Sequence, residues 1–179
     1  MISKLAAALL EKKNRDLALM AGGAAALMAG AKATPIAMFV TGLKGLEDQW
    51  RANHPEFEGG LKERLDAAIA FYDQTHQDPT NRVLHTVGIP MILGGFLGML
   101  ASPRWSPPWW ISNGSWTLGW ALNFVGHGVY ERGAPAFAED PLSFIAGPAW
   151  DVIRLRDKIR GIVEPRESEP ATSTTSVRA

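Results

Sequence analysis

Between Arg82 and Arg104, and again between Arg104 and Glu131, no side chain carries a formal charge. Two neutral segments of this length predict two membrane-crossing arms. The stretch that joins them, Ser102-Pro103-Arg104-Trp105-Ser106-Pro107-Pro108-Trp109-Trp110, has prolines that bar continuous helix and tryptophans that favour a membrane–water boundary. The pattern is that of a helical hairpin. Glycines recur along both arms, Gly88, Gly94, Gly95 and Gly98 against Gly114, Gly119 and Gly126, and small residues let helix backbones approach closely inside lipid. Ahead of the hairpin, Leu61, Leu65, Ala68, Ile69, Tyr72 and His76 recur at helical spacing while Lys62, Glu63, Asp66 and Asp73 take other faces. Asp78-Pro79 then reads as the start of a new helix, an N-cap followed by a proline where no donor is needed.

Toward the N-terminus, Lys4, Lys12, Lys13 and Arg15 precede a charge-free, alanine- and glycine-rich run from Leu17 to Ala31. That order resembles a signal peptide, with Ala31-Lys32-Ala33 as a cleavage site. Apolar content resumes at Pro35 to Leu43, however, which favours an uncleaved helix on or in the membrane. His54 falls in a polar loop with Gly59-Gly60 and reads as a solvated surface residue. After the hairpin, Pro141 to Trp150 is a short apolar or interfacial element, followed by Arg154, Arg156, Lys158 and Arg160 alternating with Ile153, Leu155 and Ile159. These divisions give an N-terminal extension of unassigned role (1–60), a membrane-embedded helical domain carrying the candidate chemistry (61–161) and a low-complexity, disordered tail (162–179).

Composition narrows the chemistry. The 179 residues suit one domain, and 18 basic against 18 acidic side chains imply no pull toward nucleic acid. Seven tryptophans, 18 glycines and only 20% charged residues lean toward a membrane. With no cysteine present, thiolate sites and disulfides are excluded, so any metal must use histidine, carboxylate, amide or water. Basic residues at the open end of the hairpin (Lys62, Arg64, Arg82, Arg132 and the C-terminal cluster) outnumber Arg104 in the turn, which places the open end on the cytoplasmic side.

His85 and His127 lie symmetrically about Ser106 in the proline turn. Each is about 18 residues, or roughly 27 Å of helix, from the turn. An antiparallel hairpin brings them level at its open end, where His76 and Glu131 also lie. Ionisable residues at such a place are functional candidates. The spacings Asn81–His85, Asn123–His127 and His127–Glu131 put each pair on one helix face, and the asparagines are candidates for orienting the imidazoles. Histidine with carboxylate suits iron(II), zinc or manganese, and composition does not separate them.

The pattern Tyr72-x3-His76-x4-Asn81-x3-His85-x2-Gly88-x-Pro90, followed by a tryptophan-rich span and Gly126-His127-x3-Glu131-x3-Pro135-Ala136, resembles the fungal and bacterial family of membrane 2-hydroxy fatty acid dioxygenases. The resemblance covers roughly residues 62 to 155. The first 60 residues fall outside it, and Asn123 stands where the family pattern has glutamine. The resemblance implies an all-α, multi-span membrane enzyme with a metal site at the cytoplasmic end of the hairpin. It implies Fe(2+) as cofactor and alpha-oxidation that shortens 2-hydroxy fatty acids by one carbon with dioxygen. Its ligands would be His76, His85 and His127, with Glu131 a fourth ligand or a base, and Tyr72 and Asn81 near the substrate carboxylate. The expected location is the inner membrane of a bacterium or the endoplasmic reticulum of a eukaryote. Two other readings use the same residues: a zinc-dependent lipid hydrolase, and a non-enzymatic scaffold or lipid-binding protein whose histidines brace helix ends.

Overall fold

The computed structural model describes residues 11–163, and the chain over this range is helical throughout. Helices α1 (Lys12–Met28) and α2 (Ala33–Asn53) form a first hairpin. Helix α3 (Leu61–Thr75) is amphipathic as its spacing predicts, and α4 (Pro79–Ala101) and α5 (Pro107–Val125) form the central hairpin. A π-helical turn (Gly126–Glu131) and a 3-10 turn (Ala136–Ala138) lead into α6 (Ser143–Val163). The start of α4 follows from its sequence: the Asp78 carboxylate accepts from Thr80 N at 2.7 Å and Asn81 N at 3.1 Å, with Pro79 at the first helical position. The expected tail falls almost wholly outside the described residues, as do residues 1–10.

The central hairpin packs through its glycines. A Cβ on Gly119 would lie 2.6 Å from the Gly88 carbonyl, and one on Gly95 would lie 2.6 Å from both Ser112 O and Trp116 N. Each is closer than any real side chain tolerates, so the two backbones touch along the seam. The expectation of two spanning arms is met only in part: among the described residues, α4 alone is long and apolar enough to cross a membrane. Helix α5 is free of charge, but Asn113, Asn123, Ser112, Ser115, Thr117 and its prolines and tryptophans lower its hydropathy. Neutral is not the same as apolar. A second difference is at the C-terminal end, where the apolar element and the basic stretch form one continuous helix, α6, running through Pro148.

From Lys12 onward the N-terminal extension packs into the fold. Stripe residues Asp16, Met20, Gly23 and Leu27 are buried along α1, and Gln49 Nε2 donates to Asp16 at 2.7 Å across the hairpin. At the turn, Lys32 donates to the carbonyls of Met99 and Ser102, the latter at 2.6 Å, which satisfies free acceptors at the C-terminal end of α4. At the base, Arg64 is fully buried; it grips Asp140 with two bonds of 2.8 and 2.6 Å and Glu47 of α2 at 3.1 Å, and its guanidinium lies 3.6 Å over the Trp50 ring. One cation therefore ties α2, α3 and the segment before α6 together.

A buried pair broken on one side leaves an uncompensated charge. Arg64→Met is expected to lower stability by about 3–5 kcal/mol, and adding Asp140→Asn should restore much of the loss. Unfolding of detergent-solubilised protein measures both; a loss within about 1 kcal/mol would show that Arg64 behaves as a surface ion pair.

Candidate metal centre

Each of the three histidines sits where a helix begins or ends. His76 is the C-cap of α3, His85 lies in the second turn of α4, and His127 lies in the π-helical turn after α5. A π turn adds a residue to the helical repeat and is frequent at functional sites. Their ligating nitrogens lie within 4.8 Å of one another, with His85 Nε2 3.2 Å from His127 Nε2, and all three rings are buried. The ring pairs stand nearly perpendicular, at 84°, 82° and 87°. Gly126 makes room for this meeting: a Cβ there would lie 3.3 Å from His85 Cε1 and inside the Asn81 amide.

Tautomers follow from the main chain. His76 Nδ1 lies 2.7 Å from the Tyr72 carbonyl and His85 Nδ1 lies 2.9 Å from the Asn81 carbonyl, each four residues back. A carbonyl only accepts, so both Nδ1 atoms carry the proton and both Nε2 atoms present lone pairs to the cluster. His76 Nε2 is buried with no hydrogen-bond partner. Burial, and next the adjacent His85 ring, hold His76 down to about 3, so it stays neutral. Three buried imidazoles with their nitrogens this close, one with an unsatisfied lone pair, form a group that could hold a metal ion.

The other predicted site residues are near, in different roles. Glu131 is not in the ligating group; its Oε1 accepts from the Asp78 main-chain N–H at 2.9 Å and from Asn81 Nδ2 at 3.1 Å. It thereby bolts the end of the second arm to the start of the first. Asn81 is fully buried with its Oδ1 unsatisfied. Tyr72 stacks on His76, ring centroids 3.7 Å apart. Burial, and next the charge of Asp151, push its phenol up, so it remains a hydrogen-bond donor. The imidazoles of His76 and His85 take their orientation from backbone carbonyls and not from asparagine side chains, and the Asn123 Oδ1 is buried without a partner. His54 stands outside the cluster; it is half-buried and stacked on Trp50 at 4.1 Å, not solvated as expected.

Tyr72, His85 and His127 open onto a cavity of about 890 Å³ whose other walls are almost entirely apolar, among them Ile89, Phe96, Trp116 and Trp120. The cavity and the buried Arg64 are the features that sequence reading missed. Arg64 had a signal: with Ala68 and Tyr72 it falls at four-residue steps on the buried face, whereas Leu61 at the head of the expected stripe is 77% exposed.

Compared with known proteins, the chain matches a family model described as 2-hydroxy-palmitic acid dioxygenase Mpo1-like over residues 63–159. The match spans more than half of the sequence and contains every residue of the cluster, and the chain belongs to this family. No curated protein and no solved structure matches.

The depressed His76 value makes a pH prediction. Unfolded, the ring takes a proton near pH 6.5, whereas folded it does so only near 3. Its contribution to stability is complete above the unfolded value and declines as pH falls, by up to roughly 1.4 kcal/mol per unit. Chelator-treated wild type should therefore lose stability between about pH 6.5 and 5 faster than His76→Phe; parallel melting curves would remove the buried neutral imidazole.

Proposed function

We propose that this Mpo1-like chain is an iron(II)-dependent dioxygenase that shortens 2-hydroxy fatty acids by one carbon at the surface of a membrane. The observation that carries this reading is the pairing of three clustered, buried imidazoles with a long apolar cavity that two of them, His85 and His127, line. The family name supports the substrate class and the reaction type. His76, His85 and His127 would hold the ion through Nε2. Iron, when bound there, would supply the centre for dioxygen chemistry and for chelation by a 2-hydroxy carboxylate.

The remaining steps belong to the protein. The Tyr72 phenol, a donor at the cavity wall, orients the substrate carboxylate. Asn81, held through its Nδ2 by Glu131 and packed through its Oδ1 against Gly126, would act from behind the histidines, setting the position of the α4 N-terminus beside the substrate's polar end. Glu131 serves as a positioning residue for Asn81 and the α4 N-terminus. The apolar walls exclude water from the reacting end and take the acyl chain.

The bilayer is the natural source of such a substrate. Val83, Val87 and Leu97 of α4 and Ile111, Leu118 and Phe124 of α5 are exposed, an apolar belt suited to lipid. Exposed Trp105 and Trp110 sit at the turn. Arg82, Arg132 and Arg154 lie at the histidine end, and their positive charge supports a cytoplasmic location for it. Because the chain has no cysteine, single cysteines at the exposed Gln77 and at Ser106 report topology cleanly. They should label from opposite sides of the membrane, and labelling from one side would remove the spanning hairpin.

His127→Ala should abolish iron binding and product formation while the protein stays folded and membrane-bound. His54→Ala, which removes a histidine outside the cluster, should retain iron and turnover per folded molecule. Zinc in place of iron in the purified protein would favour the hydrolase reading. Equal iron and activity in the two variants would reject the metal centre altogether.

A further inference from the structure

We propose that the N-terminal hairpin is the second wall of the acyl compartment and that Ala24 sets how long a chain it accepts; the identity of that chain rests on the 2-hydroxy fatty acid reading above. The hairpin lies outside the residues that match the family, so this wall is a property of the chain itself.

The cavity follows one face of each central helix. On α4 its lining runs from His85 through Ile89 and Ile92 to Phe96, and on α5 and the π turn after it from His127 through Trp120 to Trp116. Eleven residues of helix separate the ends of each run, about 16 Å at 1.5 Å per residue. The opposite wall is contributed by Leu17, Met20, Ala24 and Leu27 of α1 with Ile36 and Phe39 of α2. Two anchors hold this wall in place, Lys32 at the turn and the Glu47–Arg64 pair at the base. The hollow lies between them.

The two ends differ chemically. At one stand Tyr72, His85 and His127; at the other, Leu27 is 3% exposed and packs with Met99 and Trp109, which closes the far end. A compartment polar at one tip and apolar along its length fits a single-chain amphiphile with its head at the histidines. Exposed Ile36, Val40, Leu93 and Phe124 also border the cavity, so the chain has a lateral route from lipid. Ala24 stands one turn before Leu27 with only a methyl group, and a larger side chain there would occupy the deep end.

The test compares binding of a ladder of 2-hydroxy fatty acids, from medium to very long, by displacement of a fluorescent fatty acid from the full-length protein in detergent. Turnover is measured in parallel. Ala24→Phe should move the best-bound chain to shorter lengths, each methylene excluded weakening binding about fourfold. Ala24→Met should give a smaller shift of the same sign, which keeps the test in force if the phenylalanine variant does not fold. Ala25→Phe is the control, because Ala25 lies on the exposed face of the same helix and does not line the cavity. Identical length profiles in wild type, Ala24→Met and Ala25→Phe would overturn the proposal, as would failure of the wild type to bind any chain. Length-dependent binding that shifts with Ala24 but is never followed by turnover would support the wall while rejecting the dioxygenase reading.

Discussion

The contact between α4 and α5 is the constraint on which the site depends. Where Gly88 meets Gly119, and where Gly95 meets Ser112 and Trp116, the backbones are close enough that an added methyl would collide with main-chain atoms. That approach brings side chains on facing helices, 42 residues apart in the chain, to a nitrogen–nitrogen distance of 3.2 Å. An alanine seam would separate the arms and pull His85 away from His127. The tight seam thus does chemical as well as structural service, since van der Waals contact between backbones is what packs helices in a lipid-like setting.

The helix ends complete what the seam begins. Main-chain carbonyls of Tyr72 and Asn81 take the Nδ1 protons of His76 and His85, which leaves Nε2 free and fixes each ring. Glu131 joins the Asn81 amide to the first N–H of the Asp78 cap, so the two open ends of the hairpin cannot splay. A histidine that only braced a helix end would satisfy both ring nitrogens, yet His76 is buried with Nε2 unsatisfied. With the His85 and His127 nitrogens beside it, that atom belongs to a group that could hold a metal ion.

Around this centre the N-terminal hairpin and α6 are held by charge. Arg64 in the first turn of α3 is buried and shared between Glu47 and Asp140, while Asp73 on the same helix accepts from Trp150 Nε1 at 2.9 Å and pairs with Arg154. These bonds anchor the N-terminal hairpin and α6 to α3 around a hollow, so the protein keeps an apolar space instead of collapsing onto it.

Much of this was legible in the sequence because it depends on local or short-period signals. The charge-free arms, the proline turn, the Asp78-Pro79 cap and the symmetry of His85 and His127 about Ser106 all survive in the structure. Local signals thus determined the central hairpin and the convergence of three histidines. Tertiary structure decided the rest. In the sequence Arg64 is one of several basic residues at the open end of the hairpin, and only the pairing with residues 17 behind and 76 ahead of it explains its burial. Glu131 shares the cluster's end of the hairpin, and only the fold shows that its Oε1 is taken up by Asp78 and Asn81. The role of the first 60 residues was invisible for the same reason: a cavity wall is defined by what lies across from it, and periodicity along one chain segment carries no information about the segment it will face.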